Sequence, residues 1–439
     1  MTDTAIGLPA STIGGARPAR TLPSLLALTL AMAIGFTMMA SFGTVQEGAK
    51  AELGLSDAAL GIIQGVSAAL ALVVFSIPVG ILVDRFNRTR LLVALALVWT
   101  AGTALTAVAS GAAMLFVARV LTATGTTGAL TAALSLTADL CAPERRGRAM
   151  LLVNIGKMAG LAAAFGVGGW LFGQIARGGL PLVAGMAPWR GTHAILAGAG
   201  LVLIVPLLLL REPARREVAA ATRAPFKMLA GELWSRRAFL APLFVGQVAV
   251  VMADNAALVW AAPVLSRHYG LQPGDFAGWM GGLVFVSGLG GTLLGGFTAD
   301  WGQRSHRRGG LLIGAVVAAA IGVPAALFPI GPTVTWFAIA FGTLSLCGAI
   351  TGLVTSVALT VLIPNEVRGL CIGAFIAFAG LIGFGIAPSL VTAISSLLGG
   401  EAQLGPALAA VGVVTGLLSV AGFALAMRAA PRSAVDEPI

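Results

Sequence analysis

Gly80-Ile-Leu-Val-Asp84-Arg85-Phe-Asn-Arg88-Thr-Arg90 places one aspartate and three arginines between two long apolar runs. Charges flanked by runs of that length have to lie at a bilayer surface, because burying them in hydrocarbon is costly. Gly80 allows two backbones to come close, and Asp84 is a short carboxylate able to cap a neighbouring helix. Arg85, Arg88 and Arg90 mark one side of the membrane. The pattern Gly-x-x-x-Asp-x-x-x-Arg returns as Gly296-Phe-Thr-Ala-Asp300-Trp-Gly-Gln-Arg304. The two aspartates are 216 residues apart in a chain of 439, so the sequence reads as a duplicated membrane protein.

Composition points the same way. Hydrophobic residues make up 58%, charged residues 10%, and the mean hydropathy is +0.96. Soluble domains carry about a quarter charged residues. The net charge of +10 would suit nucleic acid, but the arginines sit in short loops on one side of the spans, which argues against that partner. Cys141, Cys347 and Cys371 have neither disulfide nor metal-ligand spacing and read as packing residues. No metal site or cofactor motif is expected. The first apolar run follows Arg17 and Arg20 without a cleavage site, so it reads as a retained anchor helix.

A helix needs about 20 apolar residues to cross the bilayer. Twelve segments qualify: 22–44, 57–79, 90–110, 113–138, 149–173, 191–210, 239–264, 277–298, 310–329, 335–360, 370–396 and 404–427. The expected fold is an all-α membrane protein of twelve transmembrane helices in two pseudo-symmetric six-helix bundles, 22–210 and 239–427. The basic stretch 211–238 is read as a cytoplasmic linker, with cytoplasmic tails at 1–21 and 428–439. With the N-terminus inside, only Lys50, Arg177, Arg190 and Arg267 of the 27 Lys and Arg fall outside. Arg119 and Lys157 fall within spans, leaving 21 in cytoplasmic segments. This is the pattern of a multi-pass protein of a bacterial inner membrane, both termini cytoplasmic.

A second echo supports duplication: Glu144-Arg-Arg146-Gly147 and Glu366-Val-Arg368-Gly369 open the fifth and eleventh spans, 222 residues apart. Two parallel repeats around a midplane site are a transporter layout, with a helical scaffold as the plain alternative. Glycines within spans, such as Gly156 and Gly160, or Gly288, Gly291 and Gly295, suit backbone-to-backbone helix packing.

The twelve spans, the long central loop and the repeated motif together resemble the major facilitator superfamily over essentially the whole chain. The first half is similar to the spinster-like branch, which includes exporters of sphingosine phosphate and lysophospholipids. The matching residues are Lys50-Ala-Glu-Leu-Gly-Leu-Ser-Asp57, Ile77-Pro-Val-Gly80, Asp84-Arg85-Phe-Asn87-Arg88, Trp99, Arg119 and Trp189-Arg190. Met38-Met39 stands where the branch has Asp-Arg, and Gly125-Thr126-Thr127 where it has Gly-Glu-Ala. The branch's membrane carboxylates are therefore missing here. The resemblance implies that Asp84 caps the eleventh helix near Gly369 in an outward-facing state and that Arg88 pairs with Asp139. It gives Asp300 and Arg304 the matching part near Gly147, completing a gating set with Gly80, Arg85 and Gly296. A carboxylate at a helix N-terminus contributes about 0.3–2 kcal/mol, enough to bias two near-balanced states.

Ionisable groups within spans are functional candidates. Arg119 could hold an anionic substrate group, or bond backbone carbonyls. Lys157 could do the same, or snorkel to the surface. Asp254 is the one carboxylate clearly inside a span and the leading proton carrier, with helix capping as the alternative. Thr126, Thr127, Asn154, Gln247 and Asn255 are candidate polar cavity residues, although hydroxyls often bond their own helix. His193, His268 and His306 lie near span ends or in loops and are expected to face water.

The expected function is a secondary transporter moving a small organic anion, amphiphile or lipid-like molecule by alternating access, with protons as the coupling ion. No catalytic set, Walker-type loop or nucleic-acid site is apparent. The expected partners are a small-molecule substrate and the lipid bilayer, and the expected state is a monomer. The alternative is a transporter-derived ligand sensor or scaffold without turnover; a membrane-embedded enzyme comes third.

Overall fold

The computed structural model describes residues 21–142, 145–215, 226–305 and 307–431. Of the sequence expectations, both tails as far as residue 20 and from residue 432, Glu144, Arg216, Arg223, His306 and the side chains of Lys227 and Glu366 lie outside the described residues.

The described chain is helical, without strands, in the order α1 (Thr21–Leu53), α2 (Asp57–Val73), α3 (Ser76–Arg85), α4 (Arg88–Ala107), α5 (Ala112–Leu140), α6 (Arg146–Ala176) and α7 (Pro188–Leu208). A short α8 (Phe226–Ser235) precedes α9 (Arg237–Tyr269), α10 (Pro273–Arg304), α11 (Ile313–Ala325), α12 (Val334–Val361), α13 (Asn365–Phe378), α14 (Ala387–Leu397) and α15 (Leu404–Ala429). Eleven helical stretches are long and apolar enough to cross a membrane. The bent pair α2–α3 makes the twelfth, giving the two six-helix bundles.

Four details differ from the apolar-run reading. The expected first span ends at residue 44, yet α1 continues to Leu53 and spans 33 residues. At 1.5 Å per residue this is about 50 Å, well beyond a hydrocarbon layer of about 30 Å. Good helix formers (Gln46, Glu47, Ala49, Lys50, Ala51, Glu52) carry the helix past the point where hydropathy fades. Next, the second span breaks at Val74–Phe75 and turns by 40° into α3, so Gly80 and Asp84 lie on a helix and not in a loop. Pro78 explains the break, because its ring cannot coexist with a helical carbonyl four residues earlier, at Val74. The eleventh span contains a π-helical stretch, residues 379–386. Pro388 removes the donor that would have met Phe384, and the Asn255 Nδ2 donates to that carbonyl instead, at 3.3 Å. Finally, the linker carries the ten-residue α8.

Both Thr21 and Ala429 sit at the face that carries the linker; the loops α1–α2, α7's start, α9–α10 and α14–α15 lie at the opposite face, called here the distal face. Core packing follows this division. One apolar cluster at the distal end draws on both halves, joining Phe42, Leu60 and Trp189 to Trp260, Phe276 and Phe341. At the linker end the core is split in two. Leu28, Met32 and Leu136 belong to one cluster, and Phe239, Leu311 and Ala358 to the other. The three cysteines are buried and free.

Two tight seams hold the halves together distally. In α2, a Cβ on Gly65 would stand 2.6 Å from the Gly385 carbonyl oxygen, so only glycine lets these backbones meet. In α6, a Cβ on Gly169 would stand 2.5 Å from the Pro273 carbonyl oxygen on α10. Toward the linker face the helices part: a Cβ on Gly80, Gly147, Gly369 or Gly373 would meet nothing within 4 Å. The close approach expected at Gly80 is therefore absent in this conformation.

Candidate functional site

The distal face is closed by an ion-pair network between the halves. Arg267, in the last turn of α9, donates through Nε and Nη2 to Glu47 at 3.0 and 2.7 Å. The same guanidinium donates to both Asp57 oxygens at 2.6 and 2.7 Å. Lys50 donates to Asp57 at 2.6 Å and also pairs with Glu401 at the start of the last span. Glu401 in turn accepts the Asp57 backbone N–H at 2.8 Å, capping α2 from the opposite half. The Asp57 side chain is only 3% exposed, so its charge depends on these partners. Below the network, Gln46 donates to the Val259 carbonyl at 2.7 Å, a further bond from α1 to α9. Glu52 ties Trp189 and Arg190 to the end of α1.

The linker face has the opposite character. Asp84, Arg85, Asp300 and Arg304 are exposed, and their side chains make no hydrogen bond or ion pair among the described residues. Arg88 differs: it is 2% exposed, pairs with Asp139, and donates to Glu212 at 2.8 Å, Ser135 Oγ at 3.1 Å and the Pro213 carbonyl at 3.2 Å. Glu212 also accepts the Thr89 N–H at 2.9 Å, so it caps α4 while neutralising Arg88. Gly296, on α10, would give a Cβ only Leu353 to meet, at 3.6 Å.

The intramembrane candidates do not converge on one site. The Arg119 guanidinium is 6% exposed and donates to the Met38 and Met39 carbonyls of α1, with its carbon 5.5 Å from the Phe42 ring centroid. The expected presentation to a cavity between the halves is not seen. A lone buried cation has instead taken the second lone pairs of a neighbouring helix's carbonyls. Thr126 and Gln247 are likewise committed within their own halves, Thr126 to the Gly35 carbonyl at 3.2 Å and Gln247 to Thr355 at 3.0 Å. Thr127 and Asn154 bond carbonyls of their own helices, Ala123 and Met150. Lys157 places its ammonium 5.4 Å from the centre of the Phe36 ring. His193, expected to face water, is buried: α7 enters the bundle at Pro188, and the ring packs against Phe42 and Trp189 with Nδ1 on the Trp189 carbonyl.

Asp254 turns into the C-terminal bundle. It lines a space of about 20 Å³, room for about one water molecule, between α9, α11, α12 and α15. Its Oδ1 is enclosed and has no hydrogen-bond partner. Its Oδ2 lies against Gly348, where any side chain would collide with the carboxylate.

This geometry is that of two helical bundles clasped at one face and parted at the other. Residues 26–388 match the family model of the Major Facilitator Superfamily. The chain belongs to this superfamily. It is 28% identical over 319 residues to a probable 4-methylmuconolactone transporter of Cupriavidus pinatubonensis, covering 70% of each chain. It is also 28% identical over 255 residues to an MFS-type efflux pump of Mycolicibacterium smegmatis, covering 57% of this chain and 56% of that one. Among solved structures, a bacterial homolog of the human lysosomal transporter Spinster, inward-facing and unoccupied, superposes with a TM-score of 0.74 at 22% identity over 95% of this chain and 96% of that one. A D-xylose–proton symporter gives 0.66 at 18% identity over 91% and 97%. These two share the fold.

Within this superfamily chain, sequence reasoning missed the distal network and Glu212. Arg267 and Lys50 stood out as rare basic residues on the outer side. Glu47, Asp57 and Glu401, the carboxylates that answer them in the structure, were the available signal.

Proposed function

We propose that this superfamily member is a secondary transporter that moves a small organic solute by alternating access, held here with its linker face open. The supporting observation is the one-sided closure: three ion pairs join the halves distally, while the linker-side cores are separate. Segments 22–210 and 239–427 are the moving bodies, joined by 211–238. The linker face and both termini face the cytoplasm across a bacterial inner membrane, a reading supported by the excess of Lys and Arg on that side. The protein acts as a monomer.

In the opposite state the distal pairs separate and Asp84 and Asp300 reach helix starts near Gly369 and Gly147, where an added Cβ would meet nothing within 4 Å among the described residues. The substrate is a small organic anion, amphiphile or lipid-like molecule. The relatives named for 4-methylmuconolactone transport and for efflux fit that class. Lys157 and Asn255 are the polar groups nearest to substrate, whereas Arg119 fixes α1. Asp254 carries the coupling proton, since it is an intramembrane carboxylate with one oxygen unpaired.

Uptake and efflux in proteoliposomes under an imposed pH gradient test this, with anionic and amphiphilic compounds and with Asp254→Asn alongside. Gradient-driven movement lost in Asp254→Asn, with binding kept, supports the reading. Equal transport by both proteins removes Asp254 from coupling. Binding with no movement of any compound favours a ligand sensor or scaffold.

A further inference from the structure

Two cations lie deep in the described spans, and they are held differently. Arg119 is committed to the Met38 and Met39 carbonyls. Lys157 is half-buried on α6 and makes no hydrogen bond or ion pair among the described residues. The packing of α6 shows which way it faces. A Cβ on Gly156 or Gly160 would meet the Thr29 or Ala33 carbonyl oxygen of α1, at 2.3 and 2.4 Å. On the other side, a Cβ on Gly281 of α10 would stand 2.9 Å from the Ala162 carbonyl oxygen, and one on Gly288 3.3 Å from the Met158 methyl. Trp170, 51% exposed, marks the outward strip between these two contacts. At about 3.6 residues per turn, Asn154 and Lys157 fall on the remaining strip, toward the space between the halves.

Phe36 of α1 holds the ammonium there. Its ring is 6% exposed, and the Lys157 nitrogen lies 5.4 Å from the ring centre. That contact offsets part of the cost of a charge within the span and keeps the long stem from reaching back to the surface. Asp254 is no counter-ion, because it turns into the C-terminal bundle. The inner strip of α6 thus carries one positive charge that no described carboxylate answers. It can neutralise one negative charge on a bound solute. A second would stay uncompensated away from water, which is costly.

We propose that Lys157, positioned by Phe36, selects solutes by charge, and that the solute is an organic monoanion, a monocarboxylate in the simplest case. This rests on the transport reading above and narrows its substrate class, since neutral amphiphiles and dianions lack the matching charge.

The test is equilibrium dialysis of the purified full chain with labelled benzoate at neutral pH. The competitors are benzamide, of the same shape without the charge, and terephthalate, which adds a second carboxylate. Benzoate should bind saturably, and each competitor should bind at least about tenfold more weakly, the worth of one charge-assisted contact. Lys157→Met should bring benzoate and benzamide level, whereas Lys157→Arg should keep the preference. Phe36→Leu should cut the benzoate-to-benzamide ratio by about two- to tenfold, and Phe36→Tyr should keep it, a split that a purely structural role would not produce. No saturable benzoate binding, equal competition by benzamide, or an unchanged preference in Lys157→Met overturns the proposal. Should Lys157→Met not fold, an unchanged ratio in Phe36→Leu overturns it alone. Charge-selective binding without movement in proteoliposomes keeps this site and sinks the transport reading; gradient-driven movement with no charge preference does the reverse.

Discussion

The two faces of this molecule are built from the same repeated elements but hold themselves together in opposite ways. Distally, Lys50, Asp57, Arg267, Glu47 and Glu401 satisfy one another across the halves, and glycine seams bring backbones into contact. At the linker face each half keeps its own core and its own salt links, and Asp84 and Asp300 stand free of partners among the described residues. Charges paired across an interface report which state is occupied; charges without partners mark the state that is not. The repeat copies differ as well. Arg88 is locked by Asp139 of its own half and by Glu212 at the start of the linker, while Arg304 at the matching position is exposed. Under the proposed alternating access, the first copy would serve stability as well as gating, and the second gating alone.

Substitutions that separate these roles rank by burial. Arg88→Ala should cost most, about 3–5 kcal/mol, because it removes from a nearly buried pocket the cation that Asp139 and Glu212 share. Thermal unfolding checks this, and a loss below about 1 kcal/mol would mean the pocket is wetter than its packing indicates. Arg267→Ala should weaken the distal closure by about 2 kcal/mol, less than a fully buried pair because the side chain is 24% exposed. Labelling of a cysteine placed at Val259 by an impermeant thiol reagent should then quicken by roughly tenfold or more. Gly65→Val should cost about 1–3 kcal/mol through overpacking against the Gly385 carbonyl, and it should raise the same labelling rate. Arg304→Ala should change stability by less than about 0.5 kcal/mol while slowing transport. A large stability loss there would erase the contrast between the two copies.

Much of this was legible beforehand. Twelve spans and duplication follow from hydropathy and from the Gly80–Arg88 and Gly296–Arg304 repeats, since bilayer thickness is a strict ruler. The Arg88–Asp139 contact lay within reach of the family resemblance. The distal network was not legible, because α1 and α9 outrun the hydrocarbon layer and apolar counting stops where Glu47 and Arg267 begin. Side-chain direction was also beyond reach: Arg119 and Asp254 both lie inside spans, but periodicity does not say whether they turn toward the other half or into their own. Both turn into their own. The π-helical stretch depends on Pro388 and Asn255 acting together across two helices, and local sequence does not show that pairing.

The central claim is that opening one face closes the other. It is tested most directly by pulsed electron–electron resonance distances in a protein whose three buried cysteines are replaced by alanine. One label pair at Leu182 and Leu397 reads the distal face, and another at Arg90 and Gln303 reads the linker face. Arg267→Ala should lengthen the distal distance and shorten the linker distance in the same fraction of molecules. A distal distance that lengthens while the linker distance stays fixed would contradict alternating access and leave only a frayed clasp.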